Sequence, residues 1–158
     1  MKAPARHIFS LAAAALLLLT ASCEQRTVLH AYKPTAIEGW EKNDSLIFPV
    51  DSLPRTGRYN LMLGLRTTSA YPYQEVWIIV DTRLRQPRFE HSDTLHCQLV
   101  NAKGDIRGRG VSTYQYDFPL DAKYLLRGQR GQIRIHHMMK REILPGISDV
   151  GIEIRFAH

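Results

Sequence analysis

Short segments in which apolar and polar residues alternate one by one constrain this chain most strongly. The clearest are VGIEIRF at 150–156 and YNLMLGLR at 59–66. A period of two is that of a β-strand with one face on a hydrophobic core. No window of ten or more residues combines a 3.6-residue period with helix-capping residues, except for a single helical turn around 138–143. The sequence therefore predicts an all-β protein.

Further short strands are predicted at intervals of roughly ten residues, separated by glycine and proline. They lie at 46–50, 76–80, 95–99, 111–118 and 133–136. The segment 76–80 is apolar at every position, which predicts a strand covered on both faces. Seven or eight such strands favour a single antiparallel β-sandwich over residues 39–158, of the jelly-roll or immunoglobulin-like kind.

The first 22 residues have the layout of a secretory signal peptide. Lys2 and Arg6 precede an apolar stretch that runs from Ile8 to Leu19 and is followed by small residues. A helix needs about twenty apolar residues to span a bilayer, and this stretch is shorter. Residues 1–22 are thus predicted to be removed after export. Residues 23–38 show little periodicity and are predicted to be a lipidated amino terminus and tether.

The predicted cleavage point is followed by a cysteine. LTASC at 19–23 resembles the lipobox of bacterial lipoproteins, with Thr20 where leucine is usual. The resemblance implies that Cys23 receives a diacylglycerol, and two or more acyl chains anchor a protein stably. The alternative is an ordinary signal peptide that leaves a soluble periplasmic protein. Lipidation of Cys23 would leave Cys97 without a partner for an internal disulfide.

The charge of the mature chain is mildly basic. The formal net charge of +6 includes Lys2 and Arg6, so +4 remains after cleavage. This balance fits residence near an anionic membrane surface, and a nucleic-acid partner conflicts with export.

No catalytic, cofactor or metal site is predicted. The adjacent His136 and His137 lie in a predicted strand, where successive side chains point to opposite faces and do not meet at one ion. Ser112, Ser148 and Cys97 lie in no GxSxG motif. Cys97 falls on the apolar side of its strand, so we expect it to be a small buried side chain.

Carboxylates of a glycosidase pair meet only in space, so the sequence leaves such a pair open. Four aspartates lie near predicted strand ends or turns, where carboxylates are common. They are Asp81, Asp93, Asp117 and Asp149.

Two candidate binding surfaces remain. Tyr71-Pro72-Tyr73, together with Tyr114 and Tyr116, could form an aromatic platform for a glycan, or could simply pack on the sheet. Basic residues between positions 107 and 141 could line one edge and meet an acidic partner, or could form an ordinary charged rim. They are Arg107, Arg109, Arg127, Arg130, Arg134, Lys140 and Arg141.

Several stretches, taken in order, resemble the gliding motility lipoprotein family GldH of the Bacteroidetes. They are GW at 39–40, LR at 65–66 with YPY at 71–73, DTL at 93–95 with KG at 103–104, Gly108, Gly110, Leu144, and GISDVGI at 146–152. The sequence departs from the family at Ile106 and Arg107, where an aromatic residue is frequent, and at MMK 138–140. The resemblance covers nearly the whole mature chain.

The resemblance implies a component of the gliding machinery, which shares the cell envelope with the type IX secretion system. The family is not known as enzymes and offers no catalytic residues, so the lipid on Cys23 is the one residue role carried over. Its members also occur in bacteria that do not glide, so the resemblance does not by itself establish motility. We therefore predict a non-enzymatic accessory protein, lipid-anchored to the outer membrane and acting through protein contacts. The alternative is an envelope glycan-binding module.

Overall fold

The computed structural model describes residues 27–157, and these form an all-β protein without a helix. None of them could therefore cross a membrane as a helix. The strands are β1 (Thr27–Pro34), β2 (Trp40–Glu41), β3 (Leu46–Val50), β4 (Gly57–Thr68), β5 (Glu75–Arg85), β6 (Phe89–Gln98), β7 (Arg109–Gly110), β8 (Thr113–Pro119), β9 (Lys123–Leu125), β10 (Arg130–His137), β11 (Ile143–Leu144) and β12 (Ile147–Phe156).

Two antiparallel sheets face each other across the core. The six-stranded sheet has the order β1-β12-β4-β8-β7, and β9 extends the β8 edge of β4. The four-stranded sheet has the order β3-β10-β5-β6, and β2 pairs with β11 in a small separate ribbon. The predicted antiparallel sandwich is confirmed.

The core lies between the inner faces of these sheets. On β4, the alternate residues Tyr59, Leu61, Leu63 and Leu65 are at most 1% exposed, as the sequence period predicts. Ile133 and Ile135 of β10 and the alternate apolar residues of β12 are buried in the same way. Each fully buried Leu or Ile side chain contributes about 1.5–3 kcal/mol. This burial pattern fixes the register of the sheets, since a slip by one residue would expose a whole apolar face.

The prediction that 76–80 is covered on both faces is wrong. Val76, Ile78 and Val80 are buried, whereas Trp77 is 37% exposed and Ile79 is half-buried on the open outer face. Trp77 covers part of its surface by stacking on His96 of β6, with ring centroids 4.4 Å apart. A run of apolar residues does not reveal whether a second layer covers the outer face, and no helix or sheet formed by residues 27–157 does so.

The prediction of a tether as far as residue 38 also needs correction. Residues 27–34 form the edge strand β1, which pairs with β12. The Tyr32 side chain lies over Gly64 and Gly151, where an added Cβ atom would come within 2.6 Å of its ring at both positions, and the Arg66 guanidinium lies over the ring, 4.1 Å from its centroid. No β1 residue is fully buried, so the strand leaves no alternation in the sequence.

The loops gather at the two ends of the sandwich. We call one the arginine end and define it as residues 51–58, 83–90, 126–130 and 155–157. Its loops are joined by backbone hydrogen bonds, in which Leu53 donates to the Gln129 carbonyl and Gly128 donates to the Leu53 carbonyl, both at 2.8 Å. The buried Gln129 side chain donates to the Pro87 carbonyl, also at 2.8 Å, and so ties in the β5–β6 turn.

The opposite end contains residues 35–44, 68–75, 99–112 and 138–146, and we call it the tyrosine end. Its loops are also joined through the backbone, since Lys42 donates to the Glu142 carbonyl at 2.7 Å and Thr68 donates to the Gly146 carbonyl at 2.8 Å. The two ends therefore contain different segments of the chain but are held by the same kind of bond.

Candidate interaction surface

The tyrosine end brings together four tyrosines that are distant in the sequence. Tyr71 and Tyr73 follow β4, whereas Tyr114 and Tyr116 belong to β8, which pairs with the end of β4. All four line a pocket of about 350 Å³ together with Leu99, Val100 and Ile106. The sequence prediction chose the correct tyrosines, but only the β4–β8 pairing shows that they share one pocket.

Of the two alternatives for these tyrosines, a ligand platform or simple packing on the sheet, the structure shows no coplanar platform at Tyr71 and Tyr73. The Tyr71 and Tyr73 rings meet edge to face at 77°, with centroids 5.5 Å apart. The Tyr71 hydroxyl donates to the Glu75 carbonyl at 2.9 Å, and burial raises its pKa, so it stays protonated. Tyr116 is only 6% exposed. The pocket is thus an angled apolar cleft with hydroxyl groups at its margin.

Exposed apolar side chains are concentrated in the loops of the tyrosine end. Of the eight large hydrophobic residues exposed in the described part of the chain, five belong to the loops of the tyrosine end. Ile37 is 100% exposed and Val111 is 91% exposed; the others are Ile106, Met138 and Ile143. The same loops carry six basic and six acidic residues and are electrically neutral. A neutral surface with clustered exposed apolar side chains is typical of a protein contact site.

A buried tryptophan of the tyrosine end packs in the hydrophobic core. Trp40 is 0% exposed, and its indole Nε1 donates to the Asp44 carbonyl at 2.9 Å. Its ring packs edge to face against His137, with centroids 5.2 Å apart. Burial lowers the pKa of His137, which favours the neutral imidazole. Trp40 belongs to β2, which pairs with β11, so this buried aromatic pair holds the ribbon that carries Ile143 against the core.

The two adjacent histidines point to opposite faces, as predicted. His137 faces the core, whereas His136 lies on the outer face opposite Ile79. Within residues 27–157, no three histidine, cysteine or carboxylate side chains are close enough to hold a metal ion.

The candidate nucleophiles lie apart in the fold. Cys97 is buried on the inner face opposite Val76, as expected, and burial raises its pKa to about 12. The Ser148 hydroxyl donates to the Arg66 carbonyl, and Ser112 is exposed in the β7–β8 turn. The Cys97 thiol is therefore protonated and inaccessible at neutral pH.

Three of the four candidate aspartates form ion pairs. Asp81 pairs with Arg134 at 3.1 Å, Asp93 pairs with Lys123 at 2.8 Å, and Asp117 pairs with Arg109. Burial alone would raise the pKa of Asp81, but hydrogen bonds from Ser92 and Arg134 hold it below its usual value. The Lys123–Asp93 pair is almost fully buried and joins the two sheets. These carboxylates hold strands together.

The seven basic residues that could have lined one edge do not do so, because they lie in different parts of the sandwich. Arg127 and Arg130 belong to the arginine end, whereas Arg107, Arg109, Lys140 and Arg141 belong to the tyrosine end, and Arg134 lies between them on the four-stranded sheet. Sequence proximity grouped residues that the fold separates. The arginine end is basic through Arg127 and Arg130 together with six further arginines from other segments of the chain, and no local sequence signal reveals that grouping.

The predicted lipid attachment at Cys23 lies outside the described residues. The structure does show where the chain enters the sandwich. Thr27 is the first residue of β1 and pairs with Arg155, which belongs to the arginine end. The segment that follows Cys23 therefore joins the domain at the arginine end.

Comparison with known proteins identifies the family. The family model described as GldH lipoprotein matches residues 27–154. The gliding motility lipoprotein GldH of Flavobacterium johnsoniae is 30% identical over 149 residues, which cover 89% of this chain and 91% of that protein. A gliding motility lipoprotein GldH homolog of Christiangramia forsetii is 25% identical over 147 residues, 87% and 89% of the respective chains. The family resemblance of the sequence is confirmed, and this chain belongs to the GldH lipoprotein family.

Proposed function

We propose that this chain is a lipid-anchored accessory component of the gliding motility machinery that works beside the type IX secretion system through protein contacts, without catalysis. Family membership and the names of its relatives support the gliding setting. The observation that carries the contact role is the concentration of exposed apolar side chains in the neutral loops of the tyrosine end. Water is released when a partner covers such side chains, which favours association.

The anchor in this proposal is a diacylglycerol on Cys23, in the outer membrane. Cys23 stands four residues before Thr27, where β1 begins. This short connection would hold the sandwich close to the bilayer and leave its other end available to partners.

A contact role without catalysis is supported by what the polar side chains do. The Asp81, Asp93 and Asp117 carboxylates are held in ion pairs, and the Cys97 thiol faces the core. These three carboxylates and this thiol were candidate catalytic groups in the sequence. In the structure, each of the four has a structural role.

The proposal is tested by crosslinking in membranes of the native host, followed by affinity capture of the tagged full-length protein and mass spectrometry. The variant carries Ile37→Ser and Val111→Ser, which remove two exposed apolar side chains without opening a cavity. Tyr124→Ser is the matched control, because Tyr124 is 64% exposed at the other end of the sandwich. We expect gliding or type IX secretion components with the wild type and the control, and a loss of about tenfold with the double variant. Equal recovery with all three proteins would contradict the contact site.

A second candidate function, an envelope glycan-binding module, is favoured by the tyrosine pocket. Aromatic rings and the Thr67, Thr68 and Ser69 side chains line the same pocket, a combination that suits a sugar. If envelope polysaccharide is enriched in place of protein, and Tyr73→Ala abolishes that enrichment, the glycan-binding function replaces the contact role.

A further inference from the structure

We propose that the arginine end docks on the anionic phospholipid headgroups of the membrane that holds the lipid anchor. The inference rests on the proposed lipidation of Cys23 and adds an orientation to it. In this orientation the tyrosine end points away from the bilayer.

The charge of the arginine end is strongly one-sided. Its segments contain eight arginines and only two acidic residues. All eight arginines are exposed; they are Arg55, Arg58, Arg83, Arg85, Arg88, Arg127, Arg130 and Arg155. A guanidinium group suits phosphate because its planar fork of N–H donors matches two phosphate oxygens. The end thus presents an anion-binding surface.

Several of these arginines converge on one depression. Arg83, Arg85, Arg88 and Arg130 line a pocket of about 860 Å³ beside the β3 end. Arg130 pairs directly with Arg85 across β10 and β5, which fixes two like charges side by side. Like charges placed opposite each other destabilise a sheet. An anionic ligand between Arg85 and Arg130 would therefore reduce the electrostatic repulsion that exists in the unliganded protein.

Much of this charge is available to a ligand. Arg88 pairs with Glu90 at 2.9 Å and Arg155 pairs with Glu153. By contrast, Arg85, Arg127 and Arg130 form no ion pair with any residue in 27–157. Arginines without a carboxylate partner are available to headgroup phosphates, and each basic residue near an anionic surface strengthens attachment.

The connection to the anchor brings this end to the membrane. A chain of four residues spans at most about 14 Å, whatever its conformation. β4 has 12 residues and runs from the arginine end to the tyrosine end, a length of about 40 Å. Since β1 begins at the arginine end, a lipid on Cys23 holds the arginines near the headgroups. The tyrosine end can then reach a partner about 40 Å away.

The test uses the lipidated full-length protein in vesicles and measures the orientation of the domain. A fluorophore is placed on Ser52→Cys at the arginine end or on Asn43→Cys at the tyrosine end, both exposed positions. The buried Cys97 thiol, with its pKa of about 12, does not react with the reagent. Energy transfer to an acceptor on lipid headgroups is compared in phosphatidylglycerol vesicles and in phosphatidylcholine vesicles.

We expect stronger transfer from position 52 than from position 43, and a difference that grows in phosphatidylglycerol and shrinks at high salt because salt screens exposed charges. Arg85→Gln with Arg130→Gln should reduce the difference to its phosphatidylcholine value. The matched control, Lys140→Gln with Arg141→Gln, removes the same charge from the tyrosine end and should leave the difference unchanged.

The outcomes separate the two proposals. Equal transfer from both positions in phosphatidylglycerol, or equal effects of the two charge variants, would overturn the docking of the arginine end while the anchor stands. A protein that carries no lipid and does not attach to vesicles would overturn the anchor and the docking together.

Discussion

The two ends of the sandwich are built from loops at opposite ends of the same sheets, yet they differ in charge and polarity. The arginine end exposes eight arginines, whereas the tyrosine end is neutral and exposes five large apolar side chains. Although each end contributes a few buried side chains to the core, the exposed side chains of its loops are not constrained by packing, so each set of loops can suit a different environment. The difference gives the domain a direction, with the charge that our proposal assigns to headgroup phosphate at one end and the apolar side chains that it assigns to a protein partner at the other.

The largest effect is expected when the link to the arginine end is cut. Cys23→Ala removes the thiol that would carry the acyl chains, and should abolish incorporation of radiolabelled palmitate and release the domain from membranes. Cys97→Ser is the control, since Cys97 is buried and should not be acylated. Unchanged labelling of the Cys23→Ala protein would contradict the anchor.

The next largest effect is a loss of stability from a substitution at the tyrosine end. Trp40→Ala should reduce the free energy of unfolding by about 3–5 kcal/mol, because it leaves a cavity beside His137. Trp77→Ala is the control, since Trp77 is 37% exposed on the outer face and should cost clearly less. Urea unfolding of the two variants measures the difference. Equal losses would mean that Trp40 does not support these loops.

A buried ion pair near the arginine end gives a comparable test of that region. Lys123→Met leaves the Asp93 carboxylate buried without its lysine partner and with only the His91 imidazole beside it, at 3.2 Å, which costs about 3 kcal/mol. Adding Asp93→Leu removes the isolated charge and should restore most of the lost stability. Thermal unfolding of the single and double variants is the measurement. A double variant less stable than the single one would rule out the isolated charge as the cause.

The smallest effect concerns pH and acts at the tyrosine end. Burial holds the pKa of His137 below that of the unfolded chain, so the unfolded state binds a proton more readily. The contribution of the neutral His137 side chain to the free energy of unfolding is complete above a pH of about 6.5, and it decreases as the pH falls below that value. His137→Phe should weaken this pH dependence, measured as the change in urea midpoint between a pH of about 7.5 and about 5.5. The same dependence in wild type and variant would exclude His137 as its source.

The sequence predicts the strands with a buried face and misses features that depend on neighbours. Residues 59–66 alternate because the core accepts every second side chain, and β4 indeed covers that segment. β1 has no such pattern, because it is an edge strand fastened by Tyr32 across two glycines of other strands. The outer face at Trp77, which no other layer of residues 27–157 covers, was missed for the same reason. So was the separation of the seven basic residues into different parts of the sandwich. Each depends on which distant segments become neighbours.

By itself the sequence determined the all-β class, the core positions of the central strands, the family and Cys23 as the predicted lipid site, because these depend on local period or on short motifs. Only the tertiary structure decided that four tyrosines share a pocket, that eight arginines from four segments form one end, and that β1 enters at that end. These features arise from pairings between residues far apart in the chain, and no local pattern in a single sequence records such pairings.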